Sequence, residues 1–76
     1  MSILITPFQK LLRDQAFSAA DLARKIDKDR STVAMWKKPQ RFPEPQCSEE
    51  IIQAVKGLGH EIDHNDLYKP SIEAEA

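Results

Sequence analysis

Only one cysteine, Cys47, occurs in the 76-residue chain, so no internal disulfide can form and a reducing cytoplasm is the expected compartment. Long apolar runs are also missing. None approaches the ~20 residues that a membrane span needs, so no membrane partner is expected. The opening segment Met1-Ser-Ile-Leu-Ile5 lacks a basic start and is too short to read as a signal peptide. Repeats and low-complexity tracts are absent. Seventy-six residues support one domain with a small core and little spare volume for a deep cleft. A compact helical bundle or a dimer is the usual solution at this length. Accordingly no catalytic residues, no cofactor and no small-molecule substrate are expected.

What is present is an uneven distribution of charge. The net value is −1, which at first argues against a nucleic-acid partner. Residues 1–41, however, hold nine Lys and Arg against four Asp, a balance of +5. Residues 42–76 hold two Lys against eight acids, a balance of −6. Phosphate contact is a local electrostatic event, so distribution outweighs the sum. The N-terminal half can face a polyanion while the acidic half turns away.

Caps and periodicity predict about five short helices. Thr6-Pro7-Phe8-Gln9 reads as a capping box with Pro at the first helical position. Phe8, Leu11 and Leu12 then form a core-facing stripe on a helix expected to run to Gln15 or Ala16. Ser18 caps a second helix, with Asp21 at the positive end of its dipole and Ala19, Leu22, Ala23 and Ile26 inward. A third helix follows Asp29, buries Val33 and Trp36, and is stopped by Pro39. Pro39–Pro45 is a stiff connector. A fourth helix is expected over Gln46–Lys56, with Ile51, Ile52 and Val55 inward and Gly57 as its stop. Asp63 caps a last short turn that Pro70 ends. The remainder, 71–76, reads as a short, acidic, disordered tail.

The informative segment runs from Ser18 to Lys38. Two short helices joined by about three residues must cross steeply to bury both apolar faces. Ala23 supplies the small residue at the crossing, and Val33 and Trp36 supply the opposing face. Asp27 occupies the turn position where a left-handed backbone is usual and Asp is tolerated. This pattern resembles the helix-turn-helix of the phage Cro and repressor family, a named example of such docking geometry. The resemblance is close over about twenty residues and extends loosely to residues 6–70. Val33-Ala-Met-Trp36 and Ile62-Asp-His-Asn-Asp-Leu67 look like the corresponding pieces of small Cro-like prophage regulators. The turn departs from the family: Asp27-Lys28 stands where Gly and an apolar residue are common.

The resemblance implies a third helix lying in the DNA major groove. Its base-reading set would be Arg30, Ser31, Thr32, Ala34, Met35 and Lys38. Arg30 suits guanine, Ser31 and Thr32 suit either donors or acceptors, and Ala34 and Met35 suit a thymine methyl. Lys37 and Arg41 would bind phosphates, setting register rather than sequence, and Ser18 would add a phosphate clamp. A homodimer on an inverted-repeat operator is implied, because one short helix gives too few contacts for high specificity. Its dimer surface is expected after Arg41, in the fourth helix and the Ile62–Tyr68 region.

Two other signals invite chemistry. His60-Glu-Ile-Asp-His64 matches H-E-x-x-H, which holds zinc when both histidines share a helical face. Gly57 and Gly59 break helices just before it, and Asp63 reads better as a cap, so no metal site is expected. Cys47 has no base or orienting partner placed by the sequence and reads as a packed thiol.

The expectation is therefore an all-α bundle of about five helices, with one DNA-binding domain over 1–70 acting as a Cro-type repressor in a bacterial cytoplasm. An activator or antitoxin with the same reading head is the nearer alternative. A helical protein-interaction module using the acidic half is the further one.

Overall fold

The computed structural model describes residues 2–75. In chain order these form strand β1 (Ser2–Ile5) and helices α1 (Pro7–Arg13), α2 (Ala19–Lys25) and α3 (Arg30–Met35). A 3₁₀ turn (Pro45–Cys47), helix α4 (Ser48–Gly57), helix α5 (His64–Tyr68) and strand β2 (Ile72–Glu75) follow. The expected all-α class is thus corrected to a mixed α/β fold, in which five α-helices accompany a two-stranded antiparallel sheet.

The sheet joins the two ends of the described chain. Ser2 pairs with Glu75 and Ile5 with Ile72, with Ile3 opposite Ala74 and Leu4 opposite Glu73. Side chains alternate across a strand, so Ile3, Ile5, Ile72 and Ala74 share the inner face and Ser2, Leu4, Glu73 and Glu75 the outer one. Ile5 is fully buried. Segment 71–76, expected as a disordered tail, therefore contains a strand; Ala76 lies outside the described residues. The burial gained by Ile3 and Ile5 draws this acidic segment into pairing.

Helix ends follow their caps. The Thr6–Gln9 box is complete: the Gln9 N–H donates to Thr6 Oγ1 (3.1 Å) and the Thr6 N–H to Gln9 Oε1 (2.9 Å). Helix α1 stops at Arg13, short of the expected Gln15 or Ala16. Gln15 enters the left-handed region (φ 54°), and the Ala16 N–H returns to the Leu11 carbonyl. That reversal brings Phe17 into the core, with its ring 6.5 Å from that of Phe8.

Helix α4 starts at Ser48 rather than Gln46, because Pro45–Cys47 forms the 3₁₀ turn. Gly57 is its last helical residue, and the left-handed position (φ 97°) falls to Gly59 instead. Asp63 caps α5 through a box with Asp66. The core gathers Phe8, Leu12, Leu22, Val33, Ile51, Val55 and Leu67, all essentially inaccessible to solvent. α2 packs on α3 and α4, and α5 packs on α1 and α4. Among the described residues no helix is long and apolar enough to cross a membrane.

Candidate nucleic-acid interface

The α2–α3 hairpin is built as its residues suggest. Ser18 Oγ accepts the Asp21 N–H at 3.4 Å, and Leu22 and Ala23 are buried. Asp27 adopts φ 57°, and the Lys28 N–H closes the turn on the Ala23 carbonyl at 2.9 Å. Val33 and Trp36 anchor α3 inward, with the Trp36 ring 6.1 Å from Phe8. Trp36 is a core residue, only 6% exposed.

With Val33 and Trp36 fixing the inner side, 100° per residue places the others. Ser31 and Ala34 lie opposite the core, and with Arg30, Met35 and Lys38 they are exposed. Regular helix ends at Met35, four residues before Pro39. The Lys37 and Lys38 N–H groups continue as turns onto the Ala34 and Met35 carbonyls. Arg30 and Lys37 fall on one flank of α3. There they line an open groove of about 440 Å³ with Ser18, Ala19 and Ala20 at the start of α2. Thr32 and Met35 fall on the other flank, beside Arg41 and Phe42. The structure thus brings Arg30, Lys37 and Ser18 together, and separately Thr32, Met35 and Arg41, with Ser31, Ala34 and Lys38 between.

The charges on this face are not neutralised internally. Among the described residues the ion pairs are Lys10–Asp14 (2.9 Å) and Arg24–Asp21, and neither uses Arg30, Lys37, Lys38 or Arg41. The acids Glu49 and Glu50 of α4 instead line a surface shared with Lys25, at the far end of α2.

Two positioning residues escape the sequence reading. Gln9 is fully buried, and its Nε2 donates to the carbonyls of Lys38 (2.8 Å) and Arg41 (3.0 Å). Arg13 Nε donates to the Lys37 carbonyl (2.9 Å), and its Nη1 reaches the Glu75 carbonyl (3.1 Å). The turn that carries three cationic side chains is therefore held by α1. The only sequence signal was the capping box, which accounts for the Gln9 oxygen and leaves its amide nitrogen without a stated task.

His60 and His64 do not share a helical face: His60 lies before α5 with its ring 5.6 Å from Phe17, and His64 is the first residue of α5. Among the described residues no group of three or more His, Cys, Asp or Glu is placed to hold a metal ion. Cys47 is buried and unpaired. Near it the Tyr68 hydroxyl is shut off from solvent with no partner in hydrogen-bonding geometry. Burial, then the neighbouring Cys47, raises its pKa above the usual tyrosine value, and the nearby Ser48 hydroxyl partly offsets this. Of the fourth-helix stripe expected to face inward, Ile51 and Val55 are taken up wholly by the chain's own core, and Ile52 is half-buried against it.

Comparison with protein-family models, curated proteins and solved structures finds no match to this chain.

Proposed function

We propose that this chain is a sequence-specific DNA-binding transcriptional regulator of the Cro-repressor type, reading an operator through α3. One observation carries the reading. A short helix, backed by Val33 and Trp36, presents an exposed strip flanked by Arg30 and Lys37, which pair with no acid among the described residues, on a hairpin whose turn residue is left-handed. Ser31, Ala34 and Lys38 stand where base edges would lie, with Arg30, Thr32 and Met35 at the margins of the strip. Arg30 at the flank can reach a guanine edge or the adjacent phosphate, whereas Lys37 and Ser18 across the groove suit phosphate. Arg41, held through its carbonyl by Gln9, suits the opposite strand's backbone.

A mobility-shift titration against random duplex DNA tests this. Affinity should fall steeply with salt, by about 0.9 log unit per log unit of salt for each phosphate neutralised. Flat or absent binding at low salt would favour a protein-interaction module and sink the proposal. On sequences selected from a random pool, Arg30→Ala should relax preference at one position, while Lys37→Ala should weaken all sequences alike. Uniform loss in both variants would mean that α3 does not read bases.

A further inference from the structure

A groove of about 380 Å³ lies between α4 and the segment leading into α5, and it shares no residue with the two grooves beside α3. Its lining combines apolar surface with acid. Ile52 and Ile62 pack against the core yet stay half-buried, so part of each faces the groove. Around them stand Glu61, Asp63 and Asp66, with Lys56 as the one cation. Among the described residues no ion pair uses any of these four. The acidity continues along α4, where Gln53 also lines a neighbouring surface that carries Glu49 and Glu50 beside Lys25. Both walls are fixed. The Gly59 N–H returns to the Lys56 carbonyl and the His60 N–H to that of Val55, each at 3.1 Å. Asp63 and Asp66 are locked by reciprocal bonds to each other's N–H groups, at 3.0 and 3.1 Å. Little ordering is therefore needed when something binds.

We infer that this groove docks a basic amphipathic helix of a second protein, its apolar side chains on Ile52 and Ile62 and its Lys or Arg against the acidic rim. Charge selects the occupant. Three acids facing one lysine repel nucleic acid and anionic membrane alike. A second copy in twofold contact would meet its own image, acid on acid, whereas such a patch must be self-complementary. The basic half of another copy could approach only head to tail, an arrangement that does not close on itself as a dimer. A small cation would cover too little. From Glu49 to Lys56 the α4 face runs about 10 Å at 1.5 Å per residue, a length that two turns of a docked helix match. Apolar anchors spaced i and i+3 or i+4 are how such helices are read. Because the groove lies apart from both flanks of α3, the partner and DNA can be held together. That last step rests on the DNA-binding reading; the docking itself does not.

Selection of a random peptide display library on the whole chain, without DNA, tests the docking. Enriched peptides should pair large apolar residues at helical spacing with Lys or Arg. In heteronuclear NMR, synthetic copies should shift the amides of Ile52, Lys56 and Ile62 rather than those of Met35 and Phe42. Glu61→Lys, at an exposed position, should weaken these peptides about fivefold at low salt and little at high salt. Ile62→Ser should weaken them at every salt concentration, with circular dichroism confirming that both variants fold. Glu73→Lys makes the same change in net charge on the outer face of the sheet and should leave binding unaltered. Equal loss in Glu61→Lys and Glu73→Lys would reduce the effect to net charge and overturn the site. Acidic peptides, or peptides that map beside Met35 and Phe42, would overturn it as well. Self-association of the wild type that Glu61→Lys abolishes would make a second copy the occupant and also refute the inference. On a selected duplex the peptides should bind within about twofold of their affinity for the free chain, as expected of uncoupled sites. If the chain binds no duplex, the DNA reading fails while the peptide result still decides the groove.

Discussion

Replacing Gln9 by Glu separates the two tasks of one buried side chain. Its Oε1 accepts the Thr6 N–H, and its Nε2 donates to the carbonyls of Lys38 and Arg41. Glu can keep the first bond, since either residue completes a capping box. When ionised it has no donor for the other two, and it sets a carboxylate oxygen against two carbonyl oxygens. A buried acceptor left without a donor costs about 1–3 kcal/mol. Lys38 and Arg41 are exposed residues, so water softens the loss, and the lower end of the range, about 1–1.5 kcal/mol each, gives about 2–3 kcal/mol for the pair. A domain of this length has roughly 4–11 kcal/mol in total. At an m-value of about 1 kcal/mol/M the urea midpoint should fall by roughly 2–3 M. Trp36, the sole tryptophan and buried, reports unfolding by fluorescence.

Acid should reverse much of the Gln9→Glu deficit. Burial and the facing carbonyls disfavour the ionised form, so the introduced carboxyl has a raised pKa in the folded state. A raised folded value gives stability fully present below the unfolded value of about 4.3 and lost as pH rises through the folded one. Below that range the protonated carboxyl can donate to one of the two carbonyls. The deficit relative to wild type should therefore be small near pH 4 and complete at pH 7. Equal urea midpoints at pH 7 would refute the clamp, and a deficit unchanged by acid would refute the donor argument.

Other perturbations follow from the same geometry. Asp27→Gly should stabilise by about 0.5–1 kcal/mol in urea melts, because the left-handed penalty outweighs glycine's extra unfolded freedom; a loss would show that the carboxylate makes a compensating bond. Ending the chain at Pro70 removes β2, uncovers Ile3 and Ile5 and should cost about 2–3 kcal/mol, or some 8–24 °C in the thermal midpoint. No change would mean that the strand pairing contributes nothing. Tyr68 has a raised pKa when folded, so its contribution is present below about pH 10 and lost as pH rises through the folded value. Tyr68→Phe should flatten the alkaline fall in stability above that point, as read by urea midpoints between about pH 9 and 11.

The parts of the fold legible in the sequence are those set by neighbours in the chain. Thr6 with Gln9, Ser18 with Asp21, and Asp63 each cap within three residues, and Asp27 needs only its own backbone to mark the turn. The sheet was illegible because each strand depends on the other end of the chain. Ile72-Glu-Ala-Glu75 alone resembles a solvated tail, and only the pairing of Ile72 with Ile5 gives it a buried face. The shift of the left-handed stop from Gly57 to Gly59 is a similar case, since either glycine satisfies the local rule. At the candidate site the outward strip of α3 was legible from Val33 and Trp36. Its division into a cationic flank and an apolar flank was not, because that depends on where Ser18 and Phe42 fold back beside it.

The cationic residues after α3 owe their placement to elements outside the hairpin. Lys37 is held through its carbonyl by Arg13, and Lys38 and Arg41 through theirs by Gln9. Arg13 also bonds Glu75, so the sheet and the proposed reading head share one helix as their mount. Sites on supported elements hold geometry that free loops lose. A peptide spanning Ser18–Lys38 would carry all the proposed base-reading side chains with the helices unsupported, since α2 and α3 are only seven and six residues long. Its charges would survive while its register would not. In a mobility-shift comparison of selected and scrambled duplexes, the peptide should bind both equally and lose both to salt, whereas the whole chain should prefer the selected one. A peptide that kept the preference would show that α1 and the sheet are dispensable for reading.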